Sequence, residues 1–218
     1  MRTPLASLPL ILLRNSLLIG WLCLLLAPLA KAEPQTEPPV LMVLGDSISA
    51  AYGMSLQQGW VSLLGDELQQ RDPPWQVVNA SISGDTTAGG LRRLPALLEA
   101  HQPQLVIIEL GGNDGLRGYP VGKLQSNLEQ MARLAREAGA RVLILPMEIP
   151  PNYGARYTQL FRESFAAAAR ESGSTLGPFL LDGVATDPAL MQDDGIHPTI
   201  EAQPQLLDNL RDTILELL

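Results

Sequence analysis

Short apolar segments alternate with amphipathic segments along most of this chain, and that alternation limits the folds open to it. The apolar segments have the length and composition of strands. We predict five strands, at Val40–Leu44, Trp75–Val78, Leu105–Leu110, Val142–Leu145 and Phe179–Leu181. Strands that are apolar throughout must be covered on both faces. The pattern therefore predicts a three-layer α/β/α fold with a flavodoxin-like, doubly wound, five-stranded parallel sheet.

The segments between these strands carry apolar residues at helical spacing. They predict helices over 60–68, 87–100, 121–135, 157–172 and 206–217, and Gly139 ends the third of them. No internal repeat or second boundary interrupts the series, so we predict a single domain over residues 40–218.

Polar and glycine-rich residues cluster where the predicted strands end. The clusters are Gly45-Asp46-Ser47, the segment 79–85, Gly111–Gly115, and a fourth, Asp193–Pro198, before the last helix. Parallel sheets place their sites at the carboxyl ends of the strands. We therefore expect all four clusters to meet on one rim of the sheet.

This rim would hold a hydroxyl, a carboxylate, an imidazole and spare amide donors, which are the parts needed for acyl transfer. Each part also has an ordinary structural interpretation: Ser47 alone could cap a helix, and the glycines could simply form turns. Gly195 and Pro198 favour a loop around His197. In such a loop the carboxylate of Asp194 can hold the imidazole.

The N-terminal segment has the features of a secretory signal peptide. Arg2 and Arg14 precede an uncharged run, Ser16–Ala30, whose 15 residues are fewer than the roughly 20 of a membrane span. Ala30-Lys31-Ala32 then forms a cleavage signature. We predict a signal peptide over 1–32 and a Pro-rich linker over 33–39; an uncleaved signal anchor is the alternative. Cleavage would leave a periplasmic or secreted protein with no stable membrane anchor.

Removing residues 1–32 would change the composition. The remainder holds 12 basic and 23 acidic residues, a net charge of −11. Such a balance argues against nucleic-acid binding, which needs a basic face. Cys23, the only cysteine, would be lost, which excludes disulfides in the mature chain. We expect a monomer.

Taken together, the four clusters resemble the four sequence blocks of the SGNH (GDSL) hydrolase family, in order and with suitable spacing. The segments 45–54, 77–95, 107–118 and 193–204 are similar to its bacterial periplasmic subgroup of thioesterases, arylesterases and lysophospholipases. The resemblance runs from Val40 to the C-terminus. Ile48 stands where the family usually has leucine, a conservative departure.

The resemblance implies a role for each rim residue. Ser47 would be the nucleophile, His197 the general base and Asp194 the residue that orients it. The backbone N–H groups of Ser47 and Gly84 and the side-chain amide of Asn113 would form the oxyanion hole. The loop 112–120 would accommodate the acyl chain, with Leu116 and Tyr119 as its best candidates. No metal or cofactor is implied.

The expected substrates are small acyl esters, acyl thioesters and lysophospholipids. A deacetylase of cell-wall or polysaccharide acetyl esters would use the same rim, so it stays open as an alternative. A binding module with an inactive site is a second alternative. A metal hydrolase, in which Asp193, Asp194 and His197 supply the ligands, is a third.

Overall fold

The computed structural model describes residues 37–218. The predicted signal peptide and residues 33–36 of the predicted linker lie outside the described residues. Five strands form one parallel sheet in the order β2-β1-β3-β4-β5. The strands are β1 (Val40–Gly45), β2 (Gln76–Asn79), β3 (Leu105–Glu109), β4 (Arg141–Ile144) and β5 (Thr175–Leu176). The predicted doubly wound α/β fold is thereby confirmed.

In the described part of the chain, six α-helices and two short 3₁₀ helices connect and cover these strands. The α-helices are α1 (Trp60–Leu68), α2 (Thr87–His101), α3 (Gly112–Leu116), α4 (Val121–Glu137), α5 (Ala155–Ser172) and α6 (Gln203–Glu216). The 3₁₀ helices span Leu56–Gln58 and Pro151–Tyr153. Within the described part of the chain, no helix is both long and apolar enough to cross a membrane.

Side chains of one strand alternate between two separate cores, because successive residues of a strand point to opposite faces. In β1, Met42 and Leu44 pack with α2, α4 and α5, whereas Leu41 and Val43 pack with α1 and α6. All four side chains are fully buried. The uninterrupted apolar runs of the sequence thus reflect a central layer covered on both sides.

The prediction of a strand at Phe179–Leu181 was wrong. The fifth strand lies earlier, at Thr175–Leu176, and Gly177 adds one more backbone bond to Ile144. Pro178 has no N–H to continue the ladder. Leu180 and Leu181 are nevertheless buried. The apolar run therefore marks a core segment that is folded as a turn.

Candidate active site

The order of the strands brings three of the four polar clusters to one edge, and the contact between His197 and Ser47 joins the fourth to them. β1 lies between β2 and β3, so the turn after β1 faces the segments that follow both neighbours. Those segments carry Gly84 and Asn113. A crevice at such a switch in strand order is where open α/β sheets bind ligands. Asn113 lies on the short helix α3 rather than in the loop that we predicted.

Ser47, His197 and Asp194 form a chain of short hydrogen-bond distances. Nε2 of His197 lies 2.8 Å from Oγ of Ser47, and Nδ1 lies 2.6 Å from Oδ2 of Asp194. A carboxylate only accepts hydrogen bonds, so Nδ1 carries the proton. Nε2 is then left to accept from the Ser47 hydroxyl.

The loop of the histidine holds Asp194 in its charged form. Oδ1 of Asp194 accepts hydrogen bonds from the backbone N–H groups of Ile196 and His197, at 2.9 and 3.0 Å. The bonds from the His197 backbone and then its side chain lower the pKa of Asp194 from 3.8 to about 2. Asp193 is exposed, and its side chain makes no hydrogen bond or ion pair within residues 37–218. The two adjacent aspartates therefore differ in environment.

The backbone N–H groups of Ser47 and Gly84 are both unpaired: among residues 37–218, neither N–H has a hydrogen-bond partner. Gly84 has φ +78°, a conformation that side chains disfavour.

The side-chain amide of Asn113 is held from both sides. Its Nδ2 donates to Oδ2 of Asp46 at 3.1 Å, and its Oδ1 accepts from Arg117 at 3.4 Å. Arg117 also donates to the Gly84 carbonyl at 3.1 Å. One N–H of the Asn113 amide therefore remains for a ligand, and its orientation is fixed.

Asp46 connects the turn of the nucleophile to Asn113. Its Oδ1 accepts from the Ile48 N–H at 3.1 Å, and its Oδ2 accepts from Asn113. Burial raises the pKa of Asp46 from 3.8 to about 6, although the bonds from Ile48 and Asn113 oppose the rise. Asp114 plays a similar structural part nearby, since its carboxylate accepts from the Thr87 N–H at the start of α2 at 2.9 Å.

Glu109 lies beneath this turn and was missed by the sequence analysis. Its Oε2 accepts from Oγ of Ser49 at 2.6 Å and from the Asp46 N–H at 3.2 Å, while its Oε1 has no partner in the described chain. Burial, and then the Asp46 carboxylate, raise the pKa of Glu109 well above 4.5. The signal was an acidic residue at the end of an otherwise apolar strand.

The predicted acyl-binding residues lie at the end of α3 and just after it, since Leu116 is the last residue of that helix. Tyr119 is 44% exposed and Leu116 is half-buried. Two tyrosines from the segment after β4 hold their carbonyls: the Tyr153 hydroxyl donates to Leu116 at 2.8 Å and the Tyr157 hydroxyl to Tyr119 at 2.7 Å. The loop is thus tied to the next βα connection.

The arrangement defines a class of protein. A serine hydrolase uses a hydroxyl, an imidazole and a charged carboxylate that are linked by hydrogen bonds, together with amide donors. This site contains all of these groups, with three amide donors. Within residues 37–218, no group of three His, Cys, Asp or Glu side chains is arranged to hold a metal ion.

Comparisons with known proteins identify the family. Residues 43–203 match the GDSL-like Lipase/Acylhydrolase family. Esterase TesA of Pseudomonas aeruginosa is 52% identical over 206 residues, which are 94% of this chain and 100% of that protein. Thioesterase 1/protease 1/lysophospholipase L1 of Escherichia coli is 46% identical over 168 residues, 77% of this chain and 79% of that protein.

A solved structure supports the same assignment. The crystal structure of TesA superposes with a TM-score of 0.80 at 54% sequence identity, and the match covers 82% of this chain and 99% of that chain. This chain belongs to the GDSL-like lipase/acylhydrolase family, and it is a hydrolase of ester bonds.

Proposed function

We propose that this protein is a serine esterase that cleaves carboxylic esters and acyl thioesters, including aryl esters and lysophospholipids, through an acyl-enzyme on Ser47. The observation that carries the proposal is the relay from Asp194 through His197 to Ser47, at 2.6 and 2.8 Å. The names of the two relatives, an esterase and a thioesterase/lysophospholipase, support the substrate classes.

In acylation, Oγ of Ser47 bonds to the substrate's carbonyl carbon while its proton passes to Nε2 of His197. The carbonyl electrons move onto the oxygen, which becomes the oxyanion. When the intermediate collapses, the bond to the leaving alcohol or thiol breaks and Nε2 returns the proton to that group. Asp194 stabilises the imidazolium and keeps the ring in the correct tautomer.

The oxyanion would accept hydrogen bonds from the backbone N–H groups of Ser47 and Gly84 and from Nδ2 of Asn113. Donors that are aimed in advance stabilise this charge without reorganisation during the reaction. The free N–H groups and the clamped Asn113 amide support this assignment. Water then attacks the acyl-enzyme by the same route, with His197 again as base.

We propose that Leu116 and Tyr119 contact the acyl chain, because Leu116 ends the helix that carries Asn113 and Tyr119 lies in the loop that follows it. Leu116→Trp should shift the preference towards shorter chains, since added bulk shortens the space beside Ser47. Rates across p-nitrophenyl esters of increasing chain length measure this. Leu160→Trp, at an exposed site on α5, is a matched control. An unaltered chain-length profile in Leu116→Trp contradicts the assignment.

We further propose that the protein acts outside the cytoplasm after removal of residues 1–32. The support is the basic start, the 15-residue apolar run and the Ala30-Lys31-Ala32 signature. N-terminal sequencing of the protein from a periplasmic fraction tests this. A chain that still begins at Met1 contradicts it.

The experiment that tests the enzymatic proposal compares kcat/KM for p-nitrophenyl esters, acyl-CoAs, lysophospholipids and an acetylated sugar, with Ser47→Ala as the inactive control. We expect activity on the acyl substrates that Ser47→Ala abolishes. Preference for the acetylated sugar would instead favour the deacetylase. Equal activity of Ser47→Ala and the parent enzyme would rule out an acyl-enzyme on Ser47.

A further inference from the structure

The aromatic ring of Tyr52 lies against the imidazole of His197. The two ring centroids are 4.2 Å apart and the planes are tilted by 32°. Tyr52 belongs to the turn that carries the nucleophile, and its N–H donates to the Ser47 carbonyl at 3.0 Å. Its hydroxyl has no hydrogen-bond partner within residues 37–218, and its side chain is 50% exposed. The ring, rather than the hydroxyl, therefore makes the contact with the site.

The backbone on both sides of Tyr52 adopts conformations that side chains rarely take. Ala51 has φ +56° and Gly53 has φ +80°. A non-glycine residue in the left-handed region costs free energy and persists only where its surroundings fix it. Ala51 is buried, and this strained turn directs the Tyr52 ring towards the histidine.

One glutamine ties this turn to the loop of the histidine. Nε2 of Gln192 donates to the Tyr52 carbonyl and to the Pro198 carbonyl, both at 2.9 Å. A Cβ atom on Gly53 would lie 2.5 Å from Oε1 of the same glutamine and would displace that side chain. The Gln192 N–H also donates to the His197 carbonyl at 2.7 Å. Gln192 thus ties the turn of Tyr52 to the loop of His197 through both its side chain and its backbone.

The contact matters most when His197 is charged. The imidazole becomes an imidazolium only after it takes the Ser47 proton, and a cation is attracted to the face of an aromatic ring. An interaction that is stronger in the transition state than in the resting enzyme raises the rate of the chemical step. The charged groups around His197 are Asp194, in direct contact, and the Asp46 carboxyl behind the turn.

We propose that Tyr52 is a positioning residue that acts through His197: its ring holds the imidazole over Ser47 and stabilises the imidazolium during acyl transfer. This inference rests on the proposed function, because it assigns His197 the role of general base. The residue type required is an aromatic ring, so phenylalanine should replace tyrosine without loss.

The test compares Tyr52→Phe, which keeps the ring, with Tyr52→Leu, which keeps apolar bulk without a ring. We expect Tyr52→Phe to retain the parent kcat. Tyr52→Leu should lower kcat about two- to fivefold with little change in KM, as an exposed cation–π contact predicts. The acid limb of kcat/KM should move to lower pH by roughly half a unit, because a less stable imidazolium loses its proton more readily.

The chain provides a direct readout, since His101 and His197 are its only histidines. NMR titration of the two ring C–H signals reports the His197 pKa in each variant. His101, at the end of α2, serves as the internal control and should not move. Thermal unfolding of both variants checks that the fold is kept.

Two results would overturn the inference while leaving the proposed function intact. The first is a Tyr52→Leu enzyme with the parent kcat and the parent His197 titration. The second is a Tyr52→Phe enzyme as impaired as Tyr52→Leu, which would assign the effect to the hydroxyl. Failure of the parent enzyme to hydrolyse any ester would instead remove the proposed function.

Discussion

Two aspartates of the Ser47 site have opposite electrostatic environments. Asp46 is 3% exposed and its pKa is raised to about 6, whereas the side chain of Asp194 is 39% exposed and its pKa is lowered to about 2. Asp46 is buried and fixes the Ile48 backbone and the Asn113 side chain. Asp194 is more exposed and stays charged beside His197, the base that must gain a proton. The same residue type thus has a structural role at position 46 and an electrostatic role at position 194.

The largest expected effect on kcat comes from a change at Asp194, the charged member of this pair. Asp194→Asn should lower kcat about 10⁴-fold, because the amide can hold the wrong tautomer of His197 and does not stabilise the imidazolium. Asp193→Asn is the matched control: it changes the adjacent, exposed aspartate and should leave kcat within about twofold of the parent value. Steady-state kinetics on one p-nitrophenyl ester measure both, and equal losses in the two variants would contradict the assignment.

A smaller loss of kcat should follow from a change at Asn113, which donates to the buried Asp46. Asn113→Ala removes one proposed oxyanion donor, which typically costs roughly 3–4 kcal/mol of transition-state stabilisation, so kcat should fall at least about tenfold. KM should change little, because the donor acts on the oxyanion rather than on the resting substrate. Asn152→Ala, at an exposed position, controls for unspecific effects. An unchanged kcat would remove Asn113 from the oxyanion hole.

The pH dependence of stability distinguishes the two aspartates in sign. A native pKa above the unfolded value means that the folded protein binds the proton more tightly. The stabilisation from Asp46 is therefore fully present below about pH 4 and is lost as the pH rises through about 6. The loss amounts to up to about 3 kcal/mol. The contribution of Asp194 has the opposite sign: it is present above about pH 4 and is lost as the pH falls towards 2.

Urea unfolding of the parent protein and of Asp46→Asn between pH 4 and 7.5 measures the Asp46 contribution. We expect the parent to lose stability over this range and Asp46→Asn to lose less. Asp66→Asn, an exposed change on α1, should follow the parent. Identical pH profiles for Asp46→Asn and the parent would show that Asp46 keeps one protonation state throughout.

The sequence predicted the layered fold because the cause of the fold is local: apolar runs such as Leu105–Ile108 must be covered on both faces. It also predicted which residues would meet at the rim, since parallel strands bring their carboxyl ends to one edge. The error at Phe179–Leu181 arose because burial alone does not distinguish a strand from a buried turn. Pro178 was the signal that the ladder could not continue there.

The supporting residues of the site were harder to predict. Tyr52 meets His197 across 145 positions of sequence, and Gln192 reaches two carbonyls from different loops. Such contacts depend on how loops fold against one another, and no spacing rule reports them. Glu109 is different, because a carboxyl group inside an apolar strand is itself a signal of a buried polar contact.

The smallest expected effect tests that buried carboxyl. A neutral Glu109 accepts bonds from Ser49 and the Asp46 N–H, and the side-chain oxygen of glutamine can accept the same two bonds. Glu109→Gln should therefore change the free energy of unfolding by less than about 1 kcal/mol at pH 7. Glu109→Ala removes the acceptor and leaves a cavity, so it should cost about 2–4 kcal/mol.

Urea unfolding of these two variants, with the exposed change Glu99→Gln on α2 as control, completes the comparison. If Glu109 carried a charge in the native protein, its bonds to Ser49 and Asp46 would be charge-assisted, and Glu109→Gln would lose that stronger part of each bond. A loss in Glu109→Gln as large as that in Glu109→Ala would therefore mean that the site holds two buried charges. Glu109 and Asp46 would then both be charged near neutral pH. The hydrogen bonds that hold the turn of Ser47 would depend on the charge of Glu109 rather than on its shape.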